Sequence, residues 1–214
     1  MDKKPGKNRK GNARARQAAP PEPAFSRRAI AGVVAGVVVT LVVGLAVASV
    51  AFASAVNSNN SDSLPQGTQV FPESNHTHVT VQVTYDHVPP VGGPHNPVQL
   101  NCGVYSQAVP NENAVHSLEH GAVWITYQPN LPADQVAVLR QLVTSNYVGT
   151  ERYLILSPYA GIPSPVVASA WGYQLGVDQA SDPRLLQFIH RFAGGSQGGE
   201  SGGPCTGGAG SPTE

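Results

Sequence analysis

The run from Ala29 to Val56 contains no charged side chain and only Thr40, Ser49 and Ser54 as polar ones. A helical membrane span needs about 20 apolar residues, and this run exceeds that with room for tilt. Residues 1–28 before it carry nine basic and two acidic side chains, and every lysine lies in the first ten residues. The rest of the chain holds four basic and eleven acidic side chains, so a formal net charge of zero conceals a segregation. A basic flank marks the cytoplasmic side of a span. The expected arrangement is a basic, disordered cytoplasmic tail over 1–28, a transmembrane helix over 29–56 and an extracytoplasmic C-terminal part, in a single-pass protein of the cell membrane. One such run argues against a multi-pass transporter or channel. The expected partner is the lipid bilayer, through residues 29–56 and the basic tail. An envelope protein of unknown kind is a second candidate partner, and no nucleic acid is expected.

Other readings of the run exist. Ala53-Ser54-Ala55 resembles the small-residue cleavage site of a signal peptide, but such peptides have apolar cores of about 7–15 residues. Ser26-Arg27-Arg28 raises a twin-arginine signal, without the phenylalanine and leucine expected after the pair. An uncleaved anchor fits the length best.

Cys102 and Cys205 both lie beyond the span. An oxidising compartment favours a disulfide between them. In the chain-entropy model closing a loop of about 100 residues, roughly the separation of these two, contributes up to about 4.7 kcal/mol. A pair of thiolate metal ligands is the alternative.

Composition divides the remainder. Residues 57–69 read as a polar linker, 194–214 as a flexible Gly/Ser-rich tail, and 70–193 as one folded domain. Within it, His78 to Tyr85 alternates strictly and predicts a half-buried strand with Val79, Val81, Val83 and Tyr85 on one face. Ala122 to Tyr127 and Tyr153 to Leu156 predict two more strands, and Pro165 to Tyr173 a fourth. Pro132 to Asn146 predicts a helix with Val136, Leu139, Leu142 and Val143 inward. Asp182-Pro183 supplies an N-cap and an N1 proline for another, with Leu185, Leu186, Ile189 and Phe192 inward. The expectation is an α+β domain with a four- to five-stranded sheet and two to three helices.

The stretch Val115 to Gly121, VHSLEHG, carries the strongest chemical signal. On a helix begun near Asn111 and stopped at Gly121, positions four apart share a face. His116 and His120 then lie together, Glu119 borders them, and Val115 and Leu118 point inward. Two such imidazoles can bind one zinc or copper ion. The string also matches the H-x-x-E-H pattern of inverted zinc peptidases. The helix stops at once, however, and Glu200 falls in the expected tail, a poor place for a preorganised ligand. The structural alternative has His116, Glu119 and His120 bonded to neighbouring backbone. If both imidazoles are buried in hydrogen bonds to backbone carbonyls, the metal-binding and hydrolase readings both fail.

Pro89-Pro90-Val91-Gly92-Gly93-Pro94-His95 is a stiff turn that delivers a histidine. His95, and with it His87, are candidate further ligands. His76 and His78 read as solvent-exposed, although histidines two apart can chelate copper. His190 reads as a surface residue, and Trp124 and Trp171 read as core.

Taken in order, these motifs resemble the domain-of-unknown-function 3105 family of bacterial, largely actinobacterial, single-pass membrane proteins. The similarity rests on Tyr85, Pro89-Pro90-x-x-Gly93-Pro94-His95, Gly103-Val104-Tyr105, Glu112, VHSLEHG, the strand ending at Tyr127, Ala170-Trp171-Gly172 and Pro204-Cys205-Thr206-Gly207-Gly208. It covers roughly residues 70–208. The family usually has serine where Gly92 stands, so a nucleophile at that position is absent here. The resemblance implies location and fold but no activity.

Three functions follow. The first is a metal-binding module with copper or zinc on His95, His116 and His120, Glu119 serving as their hydrogen-bonding partner. The second is a non-catalytic cell-envelope interaction domain with structural histidines. The third is a small hydrolase using the His/Glu cluster as acid and base.

Overall fold

A computed structural model describes residues 63–214 of the chain. The expected tail over 1–28 and span over 29–56 lie outside the described residues. Among the described residues no helix is long and apolar enough to cross a membrane.

Among the described residues the fold is α+β, with six strands and three helices. In chain order these are β1 (Gln69–Val70), β2 (Gly103–Val104), α1 (Asn111–Glu119), β3 (Val123–Tyr127), α2 (Ala133–Ser145), β4 (Leu154–Pro158), β5 (Val166–Ala170), β6 (Tyr173–Val177) and α3 (Pro183–Phe192). They form one mixed sheet ordered β1-β6-β5-β3-β4-β2. β3 runs parallel to β4 and antiparallel to β5, and β4 runs parallel to β2.

β3 explains the layers. Its sequence, VWITY, is β-branched and aromatic throughout and buried throughout. Side chains alternate between faces along a strand, so a fully buried strand needs cover on both sides. Val123, Ile125 and Tyr127 enter one core with Leu139 and Val143 of α2 and Leu185, Phe188, Ile189 and Phe192 of α3. Trp124 enters the other with Ala114, Val115 and Leu118 of α1, and with Cys102 and Cys205.

Both longer helices follow their sequence signals. The Asp182 carboxylate accepts the Arg184 amide at 2.9 Å, and Pro183 opens α3. Its buried face is Leu185, Phe188, Ile189 and Phe192, the i, i+3, i+4, i+7 set of a helix. The expected inward Leu186 is exposed and Phe188 takes the place assigned to it. In α2, Leu139 and Val143 are buried while Val136 and Leu142 are only partly so.

The strand expected over His78 to Tyr85 does not form. His78 makes one isolated parallel bridge to His95, and Val81 is 67% exposed. Its alternation finds no partner strand, and the Val83 amide donates instead to the Glu112 carboxylate at 2.8 Å. β6 itself escaped the sequence reading: Gly172, at φ +73°, turns the chain after Trp171, splitting Pro165–Tyr173 into the start of a β5–β6 hairpin.

Residues 194–214, expected to be flexible, are tied to the domain. The Ala209 amide donates to the Gln99 carbonyl at 2.8 Å and the Asn101 amide to the Ala209 carbonyl at 2.8 Å. Further on, the Thr213 amide donates to the Val104 carbonyl at 2.7 Å. Cys102 and Cys205 form the expected disulfide. Glycine here permits close backbone approach rather than freedom.

Candidate metal centre

α1 carries the first ligating side chains. Its last turn presents His116, Glu119 and His120, all buried. Gly121, at φ +102°, stops it as the sequence indicated, and also lets the chain pass close to Gly195, whose carbonyl would lie 2.7 Å from a Cβ there. A helix C-terminus leaves carbonyls without intrahelical partners. Here the glycine-rich segment supplies them, with the Glu200 amide donating to the Glu119 carbonyl at 3.3 Å and the Gly202 amide to the His120 carbonyl at 3.2 Å.

The proline loop delivers His95 to the same place. The Val79 amide donates to the His95 carbonyl at 2.7 Å, and the His95 amide to the Thr77 carbonyl at 3.0 Å, which sets His78 beside it. The Tyr85 hydroxyl anchors the loop by donating to the Pro94 carbonyl at 2.7 Å. Burial, with help from Glu112 and Tyr159, pushes that hydroxyl's pKa far up and keeps it protonated. At Gly92 a Cβ would lie 2.4 Å from Cγ of Glu73, so a larger residue there would require the Glu73 side chain to move.

Three imidazoles are oriented in the same manner. Nδ1 of His95 lies 2.8 Å from the Gly93 carbonyl, Nδ1 of His116 2.6 Å from the Asn96 carbonyl, and Nδ1 of His120 2.6 Å from the Pro204 carbonyl. A carbonyl only accepts, so each Nδ1 carries a proton, and a neutral ring held in this way has its lone pair on Nε2. Nε2 of His120, unlike that of His95, also makes a hydrogen-bond contact of 3.3 Å with Oε2 of Glu200. Burial, the largest cause, lowers the His116 pKa and favours that neutral form; the Asn96 carbonyl opposes it and the neighbouring imidazoles reinforce it.

Those lone pairs converge on carboxylates. Nε2 of His95 lies 2.9 Å from Oε2 of Glu119, yet the two are not in hydrogen-bond geometry, and both atoms are buried without a partner. Nε2 of His78 is 3.9 Å from the same oxygen. Glu119's other oxygen accepts from Nδ1 of His76, whose ring stacks on Trp171 at 4.6 Å. The Glu119 side chain is 2% exposed, and among the described residues its ion-pairing neighbours are imidazoles alone. Burying a carboxylate is costly without a partner of opposite charge.

Two groups of ligand atoms result, each within 4.8 Å of one another: His78, His95, His116 and Glu119, and His116, His120 and Glu200. The edge of a tetrahedron around an ion bound at about 2.0–2.1 Å is roughly 3.4 Å, so a bound ion would draw the wider members inward.

The sequence-predicted residues divide accordingly. His95, His116 and His120 do not form one set: His95 and His120 fall in different groups, with His116 common to both. His87 joins neither. Its ring lies 4.0 Å from that of Phe71, and it lines a separate cleft of about 180 Å³ with Glu73 and Asp86. His78 is exposed and Trp171 is core, as expected, but His78 also belongs to the first group and Trp171 also stacks on His76; Glu200, expected in a flexible tail, is held near His120 at 3.3 Å. The i, i+2 histidine pair was the signal available for His78. Bonding of His116 and His120 to backbone carbonyls was expected to exclude metal binding, and both bonds are present. That criterion was too coarse, because each ring has a second nitrogen.

Residues 76–207, more than half of the chain, match a protein family described as of unknown function, DUF3105. No curated protein and no solved structure matches the chain.

Proposed function

The chain belongs to the domain-of-unknown-function 3105 family, and from that premise we propose that its folded domain is a membrane-anchored, extracytoplasmic module that binds a transition-metal ion. The observation that carries the reading is the shared orientation of the imidazoles. Three Nδ1–H groups are committed to backbone carbonyls, Nε2 of His95 lies 2.9 Å from the buried Glu119 carboxylate, and His116 offers a ligand atom within 4.8 Å in the same group. Metal-binding histidines are commonly oriented in this way by a hydrogen bond from the other nitrogen. The unpartnered Nε2 of His95 and Oε2 of Glu119 face each other, and a cation between them would satisfy both.

His78, His95, His116 and Glu119 supply three imidazoles and one carboxylate, a donor set suited to zinc or to copper(II). Glu119 is then a direct ligand, and His76 is the partner that orients it. The anchor and the extracytoplasmic location rest on the apolar run 29–56 behind its basic flank and agree with the disulfide.

The test uses the full-length chain in detergent. Elemental analysis after exposure to zinc or copper should find bound metal in the wild type and little in His116→Ala. Equal metal content in the two proteins would sink the reading.

A further inference from the structure

The two ligand groups share His116, and the sharing is exclusive. Its Nδ1 is committed to the Asn96 carbonyl and its Nε2 lies 3.9 Å from Oε2 of Glu200, so Nε2 carries the one lone pair the ring can offer to either group. The ring lies between the two sets, with centroids 4.5 Å from His120, 4.9 Å from His95 and 4.9 Å from His78.

The groups differ in access. The inner group contains His95, with a side chain 0% exposed, and Glu119. The outer group contains Glu200, whose side chain is 53% exposed. They differ in support as well. Glu119 sits in the last turn of α1, whereas Glu200 sits on the glycine-rich segment laid over that turn. At two of its glycines this segment leaves no space for a side chain: a Cβ on Gly198 would lie 2.0 Å from the Glu119 carbonyl oxygen, and one on Gly203 would lie 2.5 Å from Cδ2 of His120. Glycine therefore lets the segment approach the imidazoles closely enough to bring a carboxylate to them.

We propose that the two groups are successive positions of one ion, so that a divalent transition-metal cation is captured from solvent at Glu200, His120 and His116 and then moves inward to His78, His95, His116 and Glu119. The inference rests on the metal-binding reading above. The step is a ligand exchange: the bonds to Glu200 and His120 break as those to His78, His95 and Glu119 form. His116 holds the ion throughout, and the metal's oxidation state does not change. An exposed carboxylate attracts the hydrated cation from solution, and the buried carboxylate holds it once dehydrated.

The experiment uses the full-length chain in detergent with Co²⁺, whose visible absorption reports ligand number and geometry, followed by stopped flow and by equilibrium titration. One ion should bind per chain. Glu200→Gln should lower the association rate constant about tenfold while leaving the final affinity and the final spectrum close to wild type. Glu119→Gln should weaken the equilibrium affinity by about 100-fold or more, with rapid initial capture retained. Unfolding of each metal-free variant shows that it is folded. Two ions bound at once would overturn the proposal. So would an unchanged association rate in Glu200→Gln, or a loss of affinity in that variant as large as in Glu119→Gln. In each of these cases the metal-binding reading would survive. Absence of any uptake by the wild type would overturn both.

Discussion

On one side of the sheet, α2 and α3 cover the strands with Leu139, Val143, Leu185, Phe188, Ile189 and Phe192, all apolar and all at helical spacing. On the other side, the nine-residue helix α1 and irregular stretches around residues 71–100 and 194–214 bring in imidazoles, buried carboxyl oxygen and a disulfide. The first side is held by area removed from water. The second is held by directed contacts to backbone carbonyls and by one covalent link. An apolar layer tolerates modest repacking. A set of lone pairs aimed at one point does not, so the second side is where function concentrates.

Truncation on the apolar side should produce the largest change in stability. Phe188→Ala removes a fully buried ring that packs on Phe192 at 4.5 Å. It should cost about 4 kcal/mol in denaturant unfolding, while the protein that stays folded binds as much metal per chain as wild type. A loss of metal in proportion to stability would show that the two sides are not separable in this way.

Removing the disulfide with Cys102→Ser/Cys205→Ser should cost about 3 kcal/mol, and its effect should be local. Cys205 follows Pro204, whose carbonyl orients His120, and its amide donates to the Glu151 carboxylate at 2.6 Å. Hydrogen exchange should therefore accelerate over residues 194–214 more than over β3 and β5. Uniform acceleration would mean that the bridge stabilises the fold as a whole.

Glu119→Gln should separate stability from binding. The substitution removes a buried charge of nearly the same shape, so the metal-free protein should lie within about 1 kcal/mol of wild type, or above it. Wild type held in metal at 100 times its dissociation constant should gain about 2.7 kcal/mol, and the variant should gain little. Thermal unfolding with and without zinc measures both quantities. A strongly destabilised metal-free variant would make Glu119 a structural residue.

The same contrast explains what could be read in advance. The strand at Val123–Tyr127, both longer helices and the α+β class were legible because the apolar side obeys periodicity. On the other side, periodicity misled: Val79, Val81 and Val83 alternate yet form no strand, since pairing depends on a partner that local sequence does not report. His116, His120 and Glu119 were legible from helical spacing, and His95 from the turn that delivers it. The roles of His76, His78 and Glu200 were not. Each depends on contacts across long separations, such as His76 with Glu119 and Glu200 with His120. Glycine-rich composition suggested freedom where the chain instead uses glycine for close packing against α1.

The smallest effect belongs to a polar contact on the apolar side. The Asp182 side chain caps α3 through the Arg184 amide and also pairs with the Arg184 guanidinium at 2.6 Å. The hydrogen bond from that guanidinium is the main cause of the lowered Asp182 pKa. Because the folded pKa lies below the unfolded value, the carboxylate contributes stability above the unfolded pKa and loses it as pH falls through the folded one. Asp182→Ala should therefore cost about 1 kcal/mol at neutral pH, and the gap to wild type should close on acidification below about pH 4. Denaturant unfolding across that range measures the gap, and metal uptake at neutral pH should not change. A gap that persists at low pH would mean that the side chain acts through packing or chain stiffness rather than through its charge.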